Sequence, residues 1–128
     1  LSLSGTQVTD AGLQHVSGMT NLKELSLPAT PRITDAGMVH LRGLTTLETL
    51  NVGGTQVTDA GLVHLANLKN LRQLILSDHI TDAGLPMLKG LTRLTHLSLA
   101  RSRVTEESVR DLEKDLPKCD IWYTAKTR

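Results

Sequence analysis

The chain has 128 residues, of which 39% are hydrophobic, and its 14 basic and 13 acidic residues leave a formal net charge of +1. This balance excludes the electrostatic footprint of a nucleic-acid or anionic-membrane binding protein. No apolar stretch reaches the roughly 18 residues of a membrane span. With one Trp, one Tyr and no Phe, the core must be aliphatic. The single cysteine, Cys119, excludes an intrachain disulfide framework.

A hexapeptide of the form V/I-T-D-A-G-L/M occurs four times and returns once in a diverged form. Its acidic residue stands at positions 10, 35, 59, 82 and 106, so the steps are 25, 24, 23 and 24 residues. A fixed period of this size indicates a solenoid of stacked supersecondary units, and about five units exceed the roughly three that a continuous core needs. The copies begin at Val8, Ile33, Val57, Ile80 and Val104.

Each repeat contains a strand pattern followed by a helix pattern. The strand pattern is L-x-x-L-x-L, whose last two apolar positions alternate with polar ones. In the helix pattern, Thr34 is a suitable N-cap and Asp35 places negative charge at the positive end of the helix dipole. Connections of about 20 residues that contain a helix predict a parallel sheet with right-handed crossovers. The strand patterns begin at Leu22, Leu47, Leu71, Leu94 and Leu116.

Glycines recur in phase at two places in the repeat. One set lies inside the predicted helices, where each glycine costs about 1 kcal/mol relative to Ala. Their recurrence predicts a close approach between neighbouring repeats. They are Gly12, Gly37, Gly61 and Gly84. The second set is predicted to end the helices in the left-handed conformation. These residues are Gly18, Gly43 and Gly90, with Asn67 at the same place in the third repeat.

The pattern L-x-x-L-x-L-x-x-T followed by a helix resembles the leucine-rich repeat over nearly the whole chain. The T-D-A-G-L signature is similar to the cysteine-containing subfamily of F-box substrate receptors and to bacterial T-D-A-G-L arrays. The near-uniform copies favour the bacterial type. This resemblance implies an α/β right-handed solenoid with a parallel sheet on the concave face and short helices on the convex face.

This chain departs from the subfamily just after each strand. The subfamily usually carries Cys or Asn there, whereas this sequence carries Thr6, Thr30, Thr55, His79 and Ser102. Hydroxyl groups at this place can hydrogen-bond the loop backbone. His79 interrupts the series where the repeat is one residue short, so we expect an altered turn at 77–80.

By length, residues 1–128 form a single domain. The highly charged segment 106–123 fits a C-terminal capping repeat, with a loose tail at 124–128. The sequence opens on Leu1-Ser2-Leu3, the end of a strand pattern. We therefore expect further repeats ahead of it, or self-association of two copies through this strand edge. The compartment stays open, with the single cysteine favouring the cytoplasm.

The concave face is the predicted site of binding, because strand residues that point away from the core stack there in columns. The side chains in its N-terminal half are small, whereas those in its C-terminal half include larger polar and aromatic groups. Trp, Tyr and Arg are the residue types that dominate binding hot spots. Alternatively, the two aromatic residues only cover the last repeat. The candidate partner-binding residues are Gln73, Ile75, Asp78, His96, Arg101, Trp122 and Tyr123.

Two sets of residues that recur once per repeat, the histidines of the helices and the aspartates of the hexapeptide, raise the question of metal binding. His15, His40 and His64 share one helical position, but packed helices lie about 8–10 Å apart, which is awkward for ligands that bind one ion at about 2 Å. A half-exposed packing role is favoured for them. One Asp per repeat supplies too few oxygens for calcium. No metal or cofactor is expected, and Cys119 is assigned to the buried core.

These observations predict a non-catalytic protein–protein interaction scaffold that binds through the concave sheet face. No P-loop, G-x-S-x-G, HExxH or paired-Cys motif occurs in the sequence. The resemblance implies an alternative, the substrate-recognition module of an F-box-type ubiquitin ligase complex. A third hypothesis is a hydrolase or metal enzyme that uses the histidines.

Overall fold

The strands of this protein form one parallel sheet in the order β1-β2-β3-β4-β5, as seen in a computed structural model that describes residues 1–3, 7–27 and 29–124. Ser2 adds a single parallel bridge to Ser26 at the β1 edge. The chain is therefore the predicted α/β solenoid. The strands are β1 (Glu24–Ser26), β2 (Thr49–Asn51), β3 (Gln73–Ile75), β4 (His96–Leu99) and β5 (Asp120–Tyr123).

Short helical segments connect the strands on the other side of the core. Most contain a large share of 3₁₀-helix, which suits pieces of only a few residues. The segments are α1 (Asp10–Leu13) with its 3₁₀ extension Gln14–Val16, α2 (Asp35–Met38) with Val39–Leu41, the 3₁₀-helices Asp59–Leu65 and Asp82–Leu88, and α3 (Glu106–Asp115). None of the helices in the described ranges has the length and apolarity to cross a membrane.

The predicted N-cap Thr34 is confirmed, and the other repeats have a threonine cap at the same place. In each one, the threonine hydroxyl accepts a hydrogen bond from a backbone N–H of the first turn, which satisfies one of the donors that a helix start leaves free. The caps are Thr9, Thr34, Thr58, Thr81 and Thr105.

The core is a stack of leucine layers. One residue from each of four successive strands faces inwards in register, and all four are fully buried: Leu25, Leu50, Leu74 and Leu97. The helices add a second wall to the core. Met38 and Leu41 are buried there, whereas Ala36, which the helical pattern assigns to the same stripe, is exposed, and Gly37 is buried in its place.

An aspartate–threonine pair joins each repeat to the next, and we call this pair the inter-repeat clamp. Asp35 Oδ1 accepts from the Thr58 backbone N–H at 2.7 Å, and Asp35 Oδ2 accepts from the Thr58 hydroxyl at 2.5 Å. The same hydroxyl accepts from the Ala60 N–H at 3.3 Å. One threonine thus caps its own helix and binds the preceding repeat. The clamps are Asp10–Thr34, Asp35–Thr58, Asp59–Thr81 and Asp82–Thr105.

The recurring helix glycines make room for this clamp. A Cβ atom at Gly61 would lie 2.5 Å from Asp35 Oδ1 and 3.0 Å from Val57 Cγ1. Gly37 and Gly84 are crowded in the same way by the carboxylates of Asp10 and Asp59. The predicted close approach between repeats is confirmed, and its partner is the aspartate of the preceding repeat.

The predicted left-handed helix ends are wrong. Among described residues, positive φ occurs at Ala29 (56°), Gly54 (77°) and Arg101 (67°), all in the turn after a strand. Gly43 and its counterparts at the helix ends do not adopt it. The chain reverses by bonds between nearby backbone groups, such as Leu44 N–H to Leu41 O at 3.0 Å, so no left-handed residue is needed there.

The altered turn predicted at 77–80 is confirmed. In the neighbouring repeat, the buried Thr55 hydroxyl donates to Val52 O at 2.6 Å. In the short repeat, Ser77 takes this role: it is buried, donates to Val57 O and accepts from the His79 N–H. His79 is consequently exposed. Thr6, the first member of the predicted hydroxyl series, lies outside the described residues, as do positions 125–128 of the predicted tail.

The position predicted for Cys119 is wrong. Leu116 O accepts a hydrogen bond from the Cys119 N–H, in the same way that Leu91 O accepts one from the Leu94 N–H. Leu116 is therefore the counterpart of Leu91, and not of Leu94. The core position opposite Leu97 is therefore filled by Ile121. Cys119 precedes the strand and is only partly buried. Burial, with a smaller effect of Asp120, raises the pKa of its thiol to about 11, so the thiol is protonated at neutral pH.

We expect Gly61→Ala to destabilise the fold by about 2 kcal/mol, because the new methyl group overlaps Asp35 Oδ1. The matched control is Gly43→Ala, where no atom lies within 4 Å of the added Cβ. That change should be neutral or stabilising by up to about 1 kcal/mol. Urea unfolding followed by circular dichroism measures both, and equal effects would contradict the close approach.

We expect Asp59→Ala to lower the free energy of unfolding by about 2 kcal/mol, because it removes two charge-assisted hydrogen bonds to Thr81. Asp111→Ala is the control, since this aspartate is exposed and has only a surface contact with Lys114 at 3.6 Å. Chemical denaturation compares the two variants. A loss at Asp59 no larger than that at Asp111 would show that the clamp contributes nothing to stability.

Candidate functional site

Two rows of side chains, one residue from each strand, cover the face of the sheet that points away from the core. The strand register aligns them directly, because residues two apart on a strand share a face. The first row is Glu24, Thr49, Gln73, His96 and Asp120. The second row is Ser26, Asn51, Ile75, Ser98 and Trp122.

A depression of about 220 Å³ lies at the β3–β5 end of these rows, and we call it the concave depression. It forms where the small Ser98 stands between Ile75 and Trp122. Ile75 is 38% exposed and Trp122 is 64% exposed, so two large apolar side chains stand open to solvent on either side. The complete lining is Gln73, Leu74, Ile75, His96, Leu97, Ser98 and Trp122.

Polar groups hold the rim of the depression. The Trp122 indole Nε1–H donates to Asp120 Oδ2 at 3.2 Å, which ties one edge of the ring to the strand. His96 Nδ1 lies 2.9 Å from Thr95 Oγ1. These bonds restrict both rings and leave their apolar surface for contact.

A second, more polar hollow of about 290 Å³ continues along the same face towards β1. Ile75 lines both hollows and so connects them. The hydroxyl, amide and carboxylate groups of this hollow offer hydrogen bonds beside the apolar side chains of Leu1, Leu25 and Ile75. They belong to Ser2, Glu24, Ser26, Thr49 and Asn51.

The structure brings together four of the seven candidate residues, namely Gln73, Ile75, His96 and Trp122. Asp78 and Arg101 lie beyond the strand ends, where both are exposed and Arg101 has φ 67°. Tyr123 is a correction. It pairs in register with Leu99 and packs against the core, so it does not lie on the concave face.

Two site residues were missed in the sequence. Ser98 was placed in the correct column, but a small side chain gives no signal until its neighbours across the sheet are known. Asp120 was placed one row away, because the strand alignment from Leu116 assigned Lys118 to the row of His96. The alternation Ile121-Trp122-Tyr123, with Trp122 outward, is the signal that identifies the register.

In the predicted histidine ladder, His64 is engaged in a hydrogen bond with the preceding repeat. Arg42 Nε donates to His64 Nδ1 at 2.7 Å, which requires that nitrogen to be unprotonated. Burial lowers the pKa of His64, and the Arg42 guanidinium lowers it further against the opposing effect of Asp35. Across the described ranges, no three His, Cys, Asp or Glu side chains come together to hold an ion.

A cleft of about 220 Å³ also lies on the convex side, between Asp82–Leu88 and α3. It is lined by apolar residues such as Leu85 and by charges of both signs, including Lys89 and Asp111. The Asp82 carboxylate within it is already bound to Thr105. Its shape follows from the contact between repeats, so the concave depression is the stronger candidate.

Comparisons with known proteins agree with this architecture. Residues 43–66 match the Leucine Rich repeat family. The fold is similar to internalin C2 from Listeria monocytogenes, with a TM-score of 0.72 and 29% identity over 97% of this chain and 50% of that chain. It is also similar to the leucine-rich-repeat ectodomain of the receptor kinase SOBIR1 from Arabidopsis thaliana (TM-score 0.61, 18% identity, 98% of this chain and 67% of that chain). No curated protein sequence matches the chain.

An internalin designated inlF, from Listeria monocytogenes, has a TM-score of 0.53 and 19% identity, covering 100% of this chain and 49% of that chain. The chain thus spans about half the length of the two internalin structures. The repeat match over residues 43–66, the parallel sheet and these structural relatives together show that the chain has the α/β leucine-rich-repeat solenoid fold.

Proposed function

We propose that this chain recognises a protein partner through its concave face, without catalysis, at a site centred on the concave depression. The observation that carries the proposal is the pair of exposed apolar side chains, Ile75 and Trp122, on either side of Ser98. Single exposed apolar residues are ordinary, but a paired apolar rim around a hollow is typical of a binding surface.

The rigidity of the sheet supports this proposal. Neighbouring strands are tied by ladders of backbone hydrogen bonds, such as Leu27 N–H to Asn51 O at 2.7 Å and Val52 N–H to Ile75 O at 2.8 Å. A preformed surface loses little conformational freedom on binding. Extended concave surfaces are also what repeat solenoids use to bind partners.

A substrate-recognition role in an F-box-type ubiquitin ligase would use the same face, so it belongs to the same proposal at a finer level. Recovery of ligase subunits with this chain would favour it. No contact among the described residues distinguishes it from recognition of another protein.

We expect the double variant Ile75→Ser/Trp122→Ala to lose binding of the natural partner by at least about tenfold, because both walls of the depression are removed. The control is Val63→Ser/Met87→Ala on the convex face, where the native residues are 52% and 44% exposed. Both are used as bait in cross-linked pull-downs from the source cells, after thermal unfolding shows that they fold. Partners that stay with the concave variant and leave with the convex one would overturn the proposal.

We expect Arg101→Gly to raise the free energy of unfolding by about 1 kcal/mol and to weaken partner binding. Arg101 has φ 67°, a conformation that costs a side-chain-bearing residue about 1–2 kcal/mol and costs glycine little. Arg103→Gly is the control, because Arg103 is also exposed but has an ordinary backbone conformation and should lose stability. If the Arg101→Gly protein is more stable but binds the partner as tightly as wild type, Arg101 does not contribute to the binding site.

A further inference from the structure

We infer that the concave depression receives one large aliphatic side chain from an extended protein segment, and that a basic residue beside this side chain pairs with Asp120. The inference rests on the proposed function and adds the chemistry of the partner. It combines two independent features of the face, the size of the hollow and the sign of its charges.

The hollow has the dimensions of one side chain. Strands lie about 4.8 Å apart, so Ile75 and Trp122, two strands apart, stand about 10 Å from each other with Ser98 between them. The floor is formed by Leu74 and Leu97, which belong to the buried core. A volume of about 220 Å³ with apolar walls and floor accepts the side chain of Leu, Ile or Met.

The charges on the two rows favour a basic residue next to the aliphatic side chain of the partner. Among the described strand residues in the two rows, the formally charged ones are Glu24 and Asp120, and both are acidic. Asp120 is exposed and bonded to the Trp122 indole, so its carboxylate stands at the rim of the hollow. A lysine or arginine on the partner meets a complementary charge there, and an acidic residue is repelled.

The same two carboxylates, Glu24 and Asp120, indicate the direction in which the partner segment crosses the sheet. Glu24 and Asp120 are four strand spacings apart in one row, or about 19 Å. An extended chain covers this distance in about six residues. A segment that crosses the sheet thus has its aliphatic anchor and first basic residue at β4–β5. A second basic residue about six positions away reaches Glu24.

The test is selection of a random 12-residue peptide library, displayed on phage, on the wild-type protein. Individual winners are then titrated as fluorophore-labelled synthetic peptides, whose anisotropy measures binding to every variant, including Trp122→Ala. Trp122 is the only tryptophan in the chain, so its fluorescence reports binding at the site itself. Ser98→Leu fills the hollow and leaves both of its walls, Ile75 and Trp122, in place. Asp120→Asn removes the charge but keeps an acceptor for the indole. Their matched controls are Ser17→Leu and Asp111→Asn at exposed convex positions.

We expect winners with an aliphatic residue and a Lys or Arg within two positions of it. Ser98→Leu should weaken their binding at least tenfold, and Asp120→Asn about threefold. Both controls should bind as wild type. Selection on Asp120→Lys should replace the basic residue by Asp or Glu.

Two results would overturn the inference, and they are distinguishable. Winners that lose binding in Trp122→Ala but lack the aliphatic–basic pattern, or are unaffected by Ser98→Leu and Asp120→Asn, would overturn it and leave the proposed function intact. Winners that bind Trp122→Ala and Ser98→Leu as tightly as wild type, or a selection without enrichment, would overturn both.

Discussion

The contact on which the rest of the structure depends is the two-point grip of each aspartate on the threonine of the next repeat. The Asp35 carboxylate takes the Thr58 N–H and hydroxyl together, and the hydroxyl in turn accepts from the Ala60 N–H. Every letter of T-D-A-G-L then has a role. Thr caps one helix and bonds the previous repeat, Asp bonds the next repeat, Ala supplies the capped N–H, Gly leaves space for the carboxylate and Leu fills the core. Thr, Asp and Gly depend on one another in this arrangement, which explains why these three recur in phase, whereas the alanine contributes only a backbone N–H and is exposed.

This clamp sits on the helical side, and the strand ladder ties the same repeats on the other side. Spacing and register are therefore set at both faces of the core, and the two rows of the concave face align from Glu24 to Asp120. Because the strands are in regular register, hollows and protrusions on this face arise from differences in side-chain size alone. Ser98 produces a hollow because Ile75 and Trp122 are large, without any irregularity of the strands beneath them.

The sequence was sufficient for features that depend on local pattern. The period predicted the solenoid, Thr34 was identified as an N-cap, and the missing residue at 77–80 predicted the altered turn. It was insufficient where a group acts across repeats. Asp35 was interpreted through the dipole of its own helix, because its partner Thr58 lies 23 residues away. Gln73, Ile75 and His96 were recognised from their columns. Asp120, Trp122 and Tyr123 were each assigned to the wrong column, because Leu116 mimics the start of a strand pattern.

The departures from the consensus are concentrated in the C-terminal half of the chain. The short repeat brings Ser77 into the core beside β3, Arg101 holds a left-handed turn after β4, and Asp120 bonds Trp122 on β5. The last clamp is also looser, because Ser108 replaces the glycine and the Asp82–Thr105 hydroxyl contact lengthens to 2.9 Å. Repeats under the same packing constraint are expected to converge on one sequence, so positions that depart from it at a cost need another reason. Of these departures, Trp122 lines the concave depression and Asp120 bonds it, whereas Ser108 lines the cleft on the convex side. The proposed partner-binding surface therefore uses residues that the repeat does not share, and packing between repeats does not account for them.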